Sequence, residues 1–360
     1  MRELILKNKW AEQGAVFGEI AGAECVKSFG DTLKELCTLR NDAVFCDFSF
    51  VRKFVYDEND GLDYLDTILA CDILKLRYGK IANTILADEN GNVSVDVFVA
   101  DIDDKLIVIA EEVCEGASAL LYAENSGATD ITDTHVLFSV DGVSAWKVAR
   151  DVFGSDIMNL PFLAVEKYDF EGESVYLMRS GKTGEYGYQF LAPNAIAEQL
   201  ADKIIESLKA NNGILGGFDA HQSARLEGNF FNIYAEGKNV ANPLELGLQW
   251  TIDFEKESFV GSEKIFENRQ NGLSRKLVGI KSNSPINVGE KIYDAETCVG
   301  EIVSSAQSHM PNTFLGTAIF DSEYVASGFE YSRTPNGDAD ILTVSRPPFI
   351  AKSLSSPMED

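Results

Sequence analysis

Basic residues, histidine and proline are all scarce in this 360-residue chain, and no apolar run is long. Lys and Arg number 31 against 57 Asp and Glu, a formal net charge of −26. Nucleic-acid backbones and anionic membrane surfaces are bound by clustered Lys and Arg, so this balance argues against both as partners. No stretch approaches the roughly 18 apolar residues that a membrane span needs. The opening segment, MRELILKNKWAEQ, is charged throughout and holds only one short apolar run, Leu4 to Leu6. It predicts no signal peptide and a cytoplasmic protein. The six cysteines are scattered with no C-x-x-C pair, and read as buried thiols in a reducing compartment. His135, His221 and His309 lie far apart and show no metal-ligand spacing, so no metal site is expected. There are only 9 prolines and no Pro/Ser-rich linker. Separate domains, if present, are therefore tightly joined and free to interleave.

The length suggests two or three domains, at roughly 150 residues each. Strand-like and helix-like segments alternate along it. Asp31 to Leu39 predicts a helix with Asp31 as its cap, and Ala43 to Phe50 a strand. Leu65, Leu69 and Ile73, spaced by four, predict a helix over 62–76. Asp88-Glu89-Asn90-Gly91 separates apolar runs 82–87 and 93–100, a hairpin signal. A second acidic turn, Asp101 to Asp104, leads into a strand over 106–110. Further on, strands are expected over 136–140, 163–170 and 175–179. A helix capped by Asn194 carries Ile196, Leu200, Ile204 and Leu208 and stops at Asn211-Asn212-Gly213. After Arg275 the strands become short and closely spaced, which predicts a small β-barrel or sandwich.

Gly181-Lys182-Thr183 invites a phosphate-loop reading. That loop needs a glycine five residues earlier, and position 176 is Tyr176. The segment also follows a hairpin strand and does not open a helix, so the reading fails. A different pattern fits better. Residues 179–188 (RSGKTGEYGY) resemble the R-[ST]-G-Y-T-G-E-x-G-[FY] signature of the glycine cleavage T-protein (aminomethyltransferase) superfamily. Residues 217–227 (GFDAHQSARLE) look like its G-L-x-A-R-D-x-x-R-L-E, and 242–250 (NPLELGLQW) like its N-P-x-E-x-G-L-x-W. Residues 259–263 (FVGSE), 275–279 (RKLVG), 88–96 (DENGNVSVD) and 300–305 (GEIVSS) are similar to further family segments, in the same order.

The resemblance implies an α+β fold: a three-domain cloverleaf with two interleaved α/β domains around a central hole and a C-terminal β-barrel or jelly-roll-like domain. The expected ranges are 1–47 with 134–235, 48–133 with 236–272, and 273–360. It implies tetrahydrofolate in the hole and Asp96 as the catalytic carboxylate. Asn83, Phe162, Lys182, Gln189 and His221 fall at positions expected to face the folate. Several of these depart from the family pattern: Lys182 replaces a tyrosine, Gln189 a glutamate, His221 an arginine, and Val95 the first of two aspartates. Lys182 is expected beside Asp96. Trp250 and Tyr188 are expected to be packing residues, and His221 to sit in a capping or surface role at a helix start.

These departures point to a folate-dependent methyltransferase or demethylase acting on a small non-glycine donor. The alternatives are the aminomethyltransferase of glycine cleavage, whose partner would be a lipoyl carrier protein, or a non-enzymatic folate-binding relative. The cysteine of the K-G-C-[FY]-x-G-Q-E motif of non-enzymatic iron–sulfur assembly factors is absent here, which counts against the last. A scaffold that has lost folate is a further alternative. The expected assembly is a monomer or homodimer.

Overall fold

Asp103 and Asp104 both take positive φ, 57° and 56°. Such a pair forms the two-residue turn whose twist matches a β-hairpin, and Asp tolerates that region better than most residues. The turn joins strand Val93–Ile102 to strand Lys105–Glu112 and sets their register from Ile102↔Lys105 down to Asp96↔Glu111. Strands Ile81–Ala87, Arg52–Asp57 and Thr129–Asp130 complete a five-stranded antiparallel sheet. The computed structural model describes residues 1–344, 352–354 and 358.

Helix Glu58–Ile68 packs on this sheet. It is shorter at its C-terminal end than the leucine spacing predicts. Leu69 turns extended because the next backbone groups bond the sheet instead: the Ala70 N–H donates to the Ile85 carbonyl, and the Cys71 N–H to the Thr84 hydroxyl. Ile73 survives only in a single 3-10 turn.

The chain leaves a second sheet after Val44–Asp47, builds the five-stranded one, and returns at His135–Asp141. The two sheets therefore interleave in sequence. The second is six-stranded, with Val165–Phe170, Glu173–Met178, Gly187–Pro193 and the short parallel strand Ile214–Leu215. Helices Ala145–Phe153 and Ala197–Ala210 pack against it. Asp31 caps helix Thr32–Asn41 as expected, accepting the Lys34 N–H at 2.9 Å. Asn194 does not cap: its amide donates to the Asp133 carbonyl, and a 3-10 turn starts the following helix. The third sheet is C-terminal, with six strands from Arg275–Ser282 to Ile341–Val344. A bridge between Tyr293 and Ser332 brings its two edges together and nearly closes it into the expected barrel.

Cys25 and Cys46 are buried as expected, but Cys114 and Cys298 are exposed. Among the described residues no helix is long and apolar enough to cross a membrane, and no cluster of His, Cys, Asp and Glu could hold a metal.

Lys53 is fully buried, and its ammonium donates to the carbonyls of Ser49 and Val51. Burial pulls its pKa down to about 7, with Arg2 adding to the shift. A lysine depressed in the folded state destabilises it fully below that value and progressively less toward its unfolded value, about 10.4. Lys53→Met is therefore expected to raise stability at pH 7 by roughly 1–3 kcal/mol, partly offset by the two lost hydrogen bonds. The gain should fade as pH approaches 10, which urea melts of both proteins at several pH values would check.

Candidate active site

Asp96 and Glu111 stand directly opposite each other on neighbouring strands. Two carboxylates so placed repel, and the pair is tolerated only if a cation joins them. Lys182 does so: its ammonium lies 2.6 Å from Asp96 Oδ2 and 2.7 Å from Glu111 Oε1. The Asn83 amide donates to Asp96 Oδ1 at 2.8 Å, and Arg225 bonds the second Glu111 oxygen at 2.9 Å. Lys182 also sits over the Phe98 ring, 4.6 Å from its centre. All four charged groups are buried. Burial drives the Glu111 pKa upward, but the charges of Lys182 and Arg225 outweigh it and hold the group well below the carboxylate range.

The loop 179–186 presents Lys182, and its shape follows from two glycines. A Cβ on Gly181 would meet the Gly187 Cα at 2.6 Å and Asp141 Oδ1 at 2.8 Å, so only glycine allows this closure. Arg40 braces the loop from below, donating to the Thr183 carbonyl at 2.8 Å and lying 3.4 Å from Glu185. Arg40 also bonds Glu227 at 2.8 Å and so ties the loop to helix Phe218–Glu227.

Above Asp96 lies a cavity of about 140 Å³ lined by Asn83, Phe98, Phe162, Lys182, Phe231 and Trp250, among others. Phe162 and Trp250 are 57% and 67% exposed and form its rim. Trp250 is thus not the packing residue expected, because the 3-10 turn Gln249–Thr251 turns it outward, whereas Tyr188 is fully buried. Phe230, Phe231, Leu248 and Trp250 also line an adjoining cavity of about 600 Å³.

Four of the six expected site residues (Asp96, Asn83, Phe162 and Lys182) meet at this one cavity. Gln189 and His221 do not line it. Gln189 accepts a hydrogen bond from Ser180, 3.1 Å away. His221 is buried, against the expectation of a capping or surface role. It lies on the inner face of its helix, 4.7 Å from the Phe48 ring, with Nε2 3.7 Å from Asp141. Burial, with Arg225 adding to it, pushes its pKa down to about 3, so the ring is neutral. Glu111 and Arg225 complete the charge cluster, yet neither stood out as a site residue. Glu111 falls opposite Asp96 once the acidic turn read over 101–104 is narrowed to Asp103 and Asp104.

Residues 6–256 match the family described as the GCVT N-terminal domain. An aminomethyltransferase of Lysinibacillus sphaericus (strain C3-41) is 25% identical over 359 residues, 97% of each chain. One from Listeria monocytogenes serotype 4a (strain HCC23) is 27% identical over 333 residues, 89% of this chain and 90% of that one. The crystal structure of glycine cleavage system aminomethyltransferase T from Bartonella henselae shares the fold. Its TM-score is 0.81 at 21% identity, over 97% of this chain and 98% of that one. With a domain match over well more than half its length, the chain belongs to the GCVT family, the glycine cleavage T-protein superfamily, whose aminomethyltransferases are one-carbon transferases that use tetrahydrofolate.

Proposed function

We propose that the protein is a tetrahydrofolate-dependent one-carbon transferase of the aminomethyltransferase type, with Asp96 as its catalytic carboxylate. The observation that carries this reading is the position of Asp96, buried at the floor of an aromatic-rimmed cavity. The relatives that match nearly the whole chain are named aminomethyltransferases, which supports the same chemistry.

The cavity walls suit a folate. A flat ring needs apolar faces and a few polar groups at its edge. Phe98, Phe162, Phe231 and Trp250 supply the first, and Asp96 and Asn83 the second. At about 140 Å³ the cavity alone is smaller than the roughly 300 Å³ typical of ligand sites, but it adjoins the larger one. Bound tetrahydrofolate supplies the nucleophilic nitrogen that accepts the one-carbon unit. The chain's own part is to orient and to stabilise charge. Asp96 is held in place from two sides, by Asn83 and Lys182. A carboxylate fixed in this way meets developing positive charge without reorganising. The aromatic lining makes its surroundings largely apolar, which strengthens its charge interactions.

A second reading concerns the donor, and Lys182 favours it. Asp96, Glu111, Lys182 and Arg225 together are formally neutral. A cationic aminomethyl group near Asp96 would also feel Lys182 only 2.6 Å beyond it, which cancels much of the attraction. A neutral or anionic methyl donor does not depend on that attraction for binding, so a small non-glycine donor fits the resting charge balance. Product analysis separates the readings. Methylenetetrahydrofolate and ammonia from an aminomethylated lipoyl carrier would identify the glycine-cleavage donor. Methyl transfer from small N-, S- or O-methyl compounds, with no turnover of the carrier, would identify the other. Product from neither set of donors would overturn the assignment as an enzyme.

A further inference from the structure

Phe230, which lines the Asp96 cavity, also lines a second one of about 340 Å³. This cavity lies between helix Phe218–Glu227, the turn Ile233–Gly237 and strand Thr297–Gln307. Glu236 lines both it and the 600 Å³ cavity.

Glu236 is only 2% exposed, yet the groups that bond it are all neutral. It accepts the Asn232 N–H at 2.7 Å, the Ser304 hydroxyl at 2.9 Å and the Thr317 hydroxyl at 3.1 Å. Arg225 acts on it only through space, being committed to Glu111 and the Phe231 carbonyl. A buried carboxylate without a paired cation is costly, and a bound cation would relieve that cost. The rest of the wall suits one. The rings of Phe218 and Tyr234 pack edge to face, 73° at 5.5 Å, and with Phe230 they make the lining aromatic. The Phe218 face already holds an ammonium at the rim. Lys27 Nζ lies 4.7 Å from its centre, with its charge balanced by Asp219 at 2.5 Å. Gln222 also lines the cavity, and neither atom of its buried amide has a partner among the described residues.

We propose that this cavity is a binding site for a small methylated ammonium ion, held by the charge of Glu236 and by the aromatic lining of Phe218, Phe230 and Tyr234. Methylation follows from the hydrogen-bond inventory. A carboxylate has about four acceptor positions, and three at Glu236 are taken. A primary ammonium brings three donors and would leave most of them unpaired. A quaternary or tertiary methylated one asks mainly for charge and aromatic contact.

The inference is independent of the chemistry at Asp96, and the test separates them. Tetramethylammonium chloride is titrated calorimetrically into the folate-free protein at constant ionic strength, with tert-butanol as an uncharged control of similar size. One saturable site of millimolar affinity is expected for the cation and none for the alcohol. Glu236→Gln should weaken binding roughly tenfold, and Phe230→Ala several-fold. Asp96→Asn should leave it unchanged. Heat that does not saturate, equal binding of the alcohol, or indifference to both cavity variants would overturn the proposal. Should Glu236→Gln fail to fold, Phe230→Ala decides alone, since it leaves the carboxylate and its three donors in place.

Discussion

Asp96→Asn is expected to lower tetrahydrofolate-dependent one-carbon transfer by about two to three orders of magnitude, the usual effect of removing one preorganised charge-stabilising group. The substitution keeps the side-chain size and leaves Lys182 its second partner, Glu111, at 2.7 Å. The fold should therefore survive, and a thermal midpoint within several degrees of wild type is the necessary control. The loss should fall on kcat more than on KM, because the carboxylate acts on charge that develops during the reaction. Asn83→Ala removes only one hydrogen bond to Asp96 and should cost far less. Near-wild-type turnover by Asp96→Asn would remove this residue from the chemistry, and with it the proposed site.

The largest expected stability effect lies at Arg40. The residue is 1% exposed, and its guanidinium holds the Thr183 carbonyl, Glu185, the Ala224 carbonyl and Glu227. Arg40→Leu leaves two buried carboxylates without this cation, and breaking such a pair costs about 3–5 kcal/mol. The pH dependence identifies the cause. Burial alone would raise the Glu227 pKa. Its hydrogen bond from His309 and the Arg40 charge outweigh burial and lower it. A depressed carboxylate contributes stability above its unfolded pKa and loses it as pH falls through the folded value. The gap between wild type and Arg40→Leu should thus be widest near neutral pH and shrink below about pH 4. Urea melts at pH 7 and pH 3 would show it; a constant gap would mean that packing, not charge, is lost.

Local chemistry made much of this readable. The acidic turn at Asp101 to Asp104, the Asp31 cap and the short C-terminal strands all declare themselves over a few residues, because turn composition, capping and alternation are local properties. Where tertiary bonds compete, local reading fails. The helix expected to reach Leu76 stops at Ile68 because the next N–H groups find partners on a neighbouring strand. His221 was expected near the surface because periodicity says nothing of what packs over a helix, here Phe48 and Asp141.

The site divides in the same way. The order and spacing of the motifs carried the family resemblance, and that resemblance implied the interleaved layout and the candidacy of Asp96 and Lys182. The structure narrowed the acidic turn to Asp103 and Asp104 and so fixed the Asp96–Glu111 pairing, since hairpin register is counted from its turn. Only the tertiary structure decided that Lys182, far along the chain from both, closes that pair, that Arg225 completes the cluster, and that Gln189 and His221 stand outside the cavity. The reason is that a buried charge is settled by its neighbours in space. Those neighbours come from strands, a loop and a helix whose meeting is set by the packing of whole sheets.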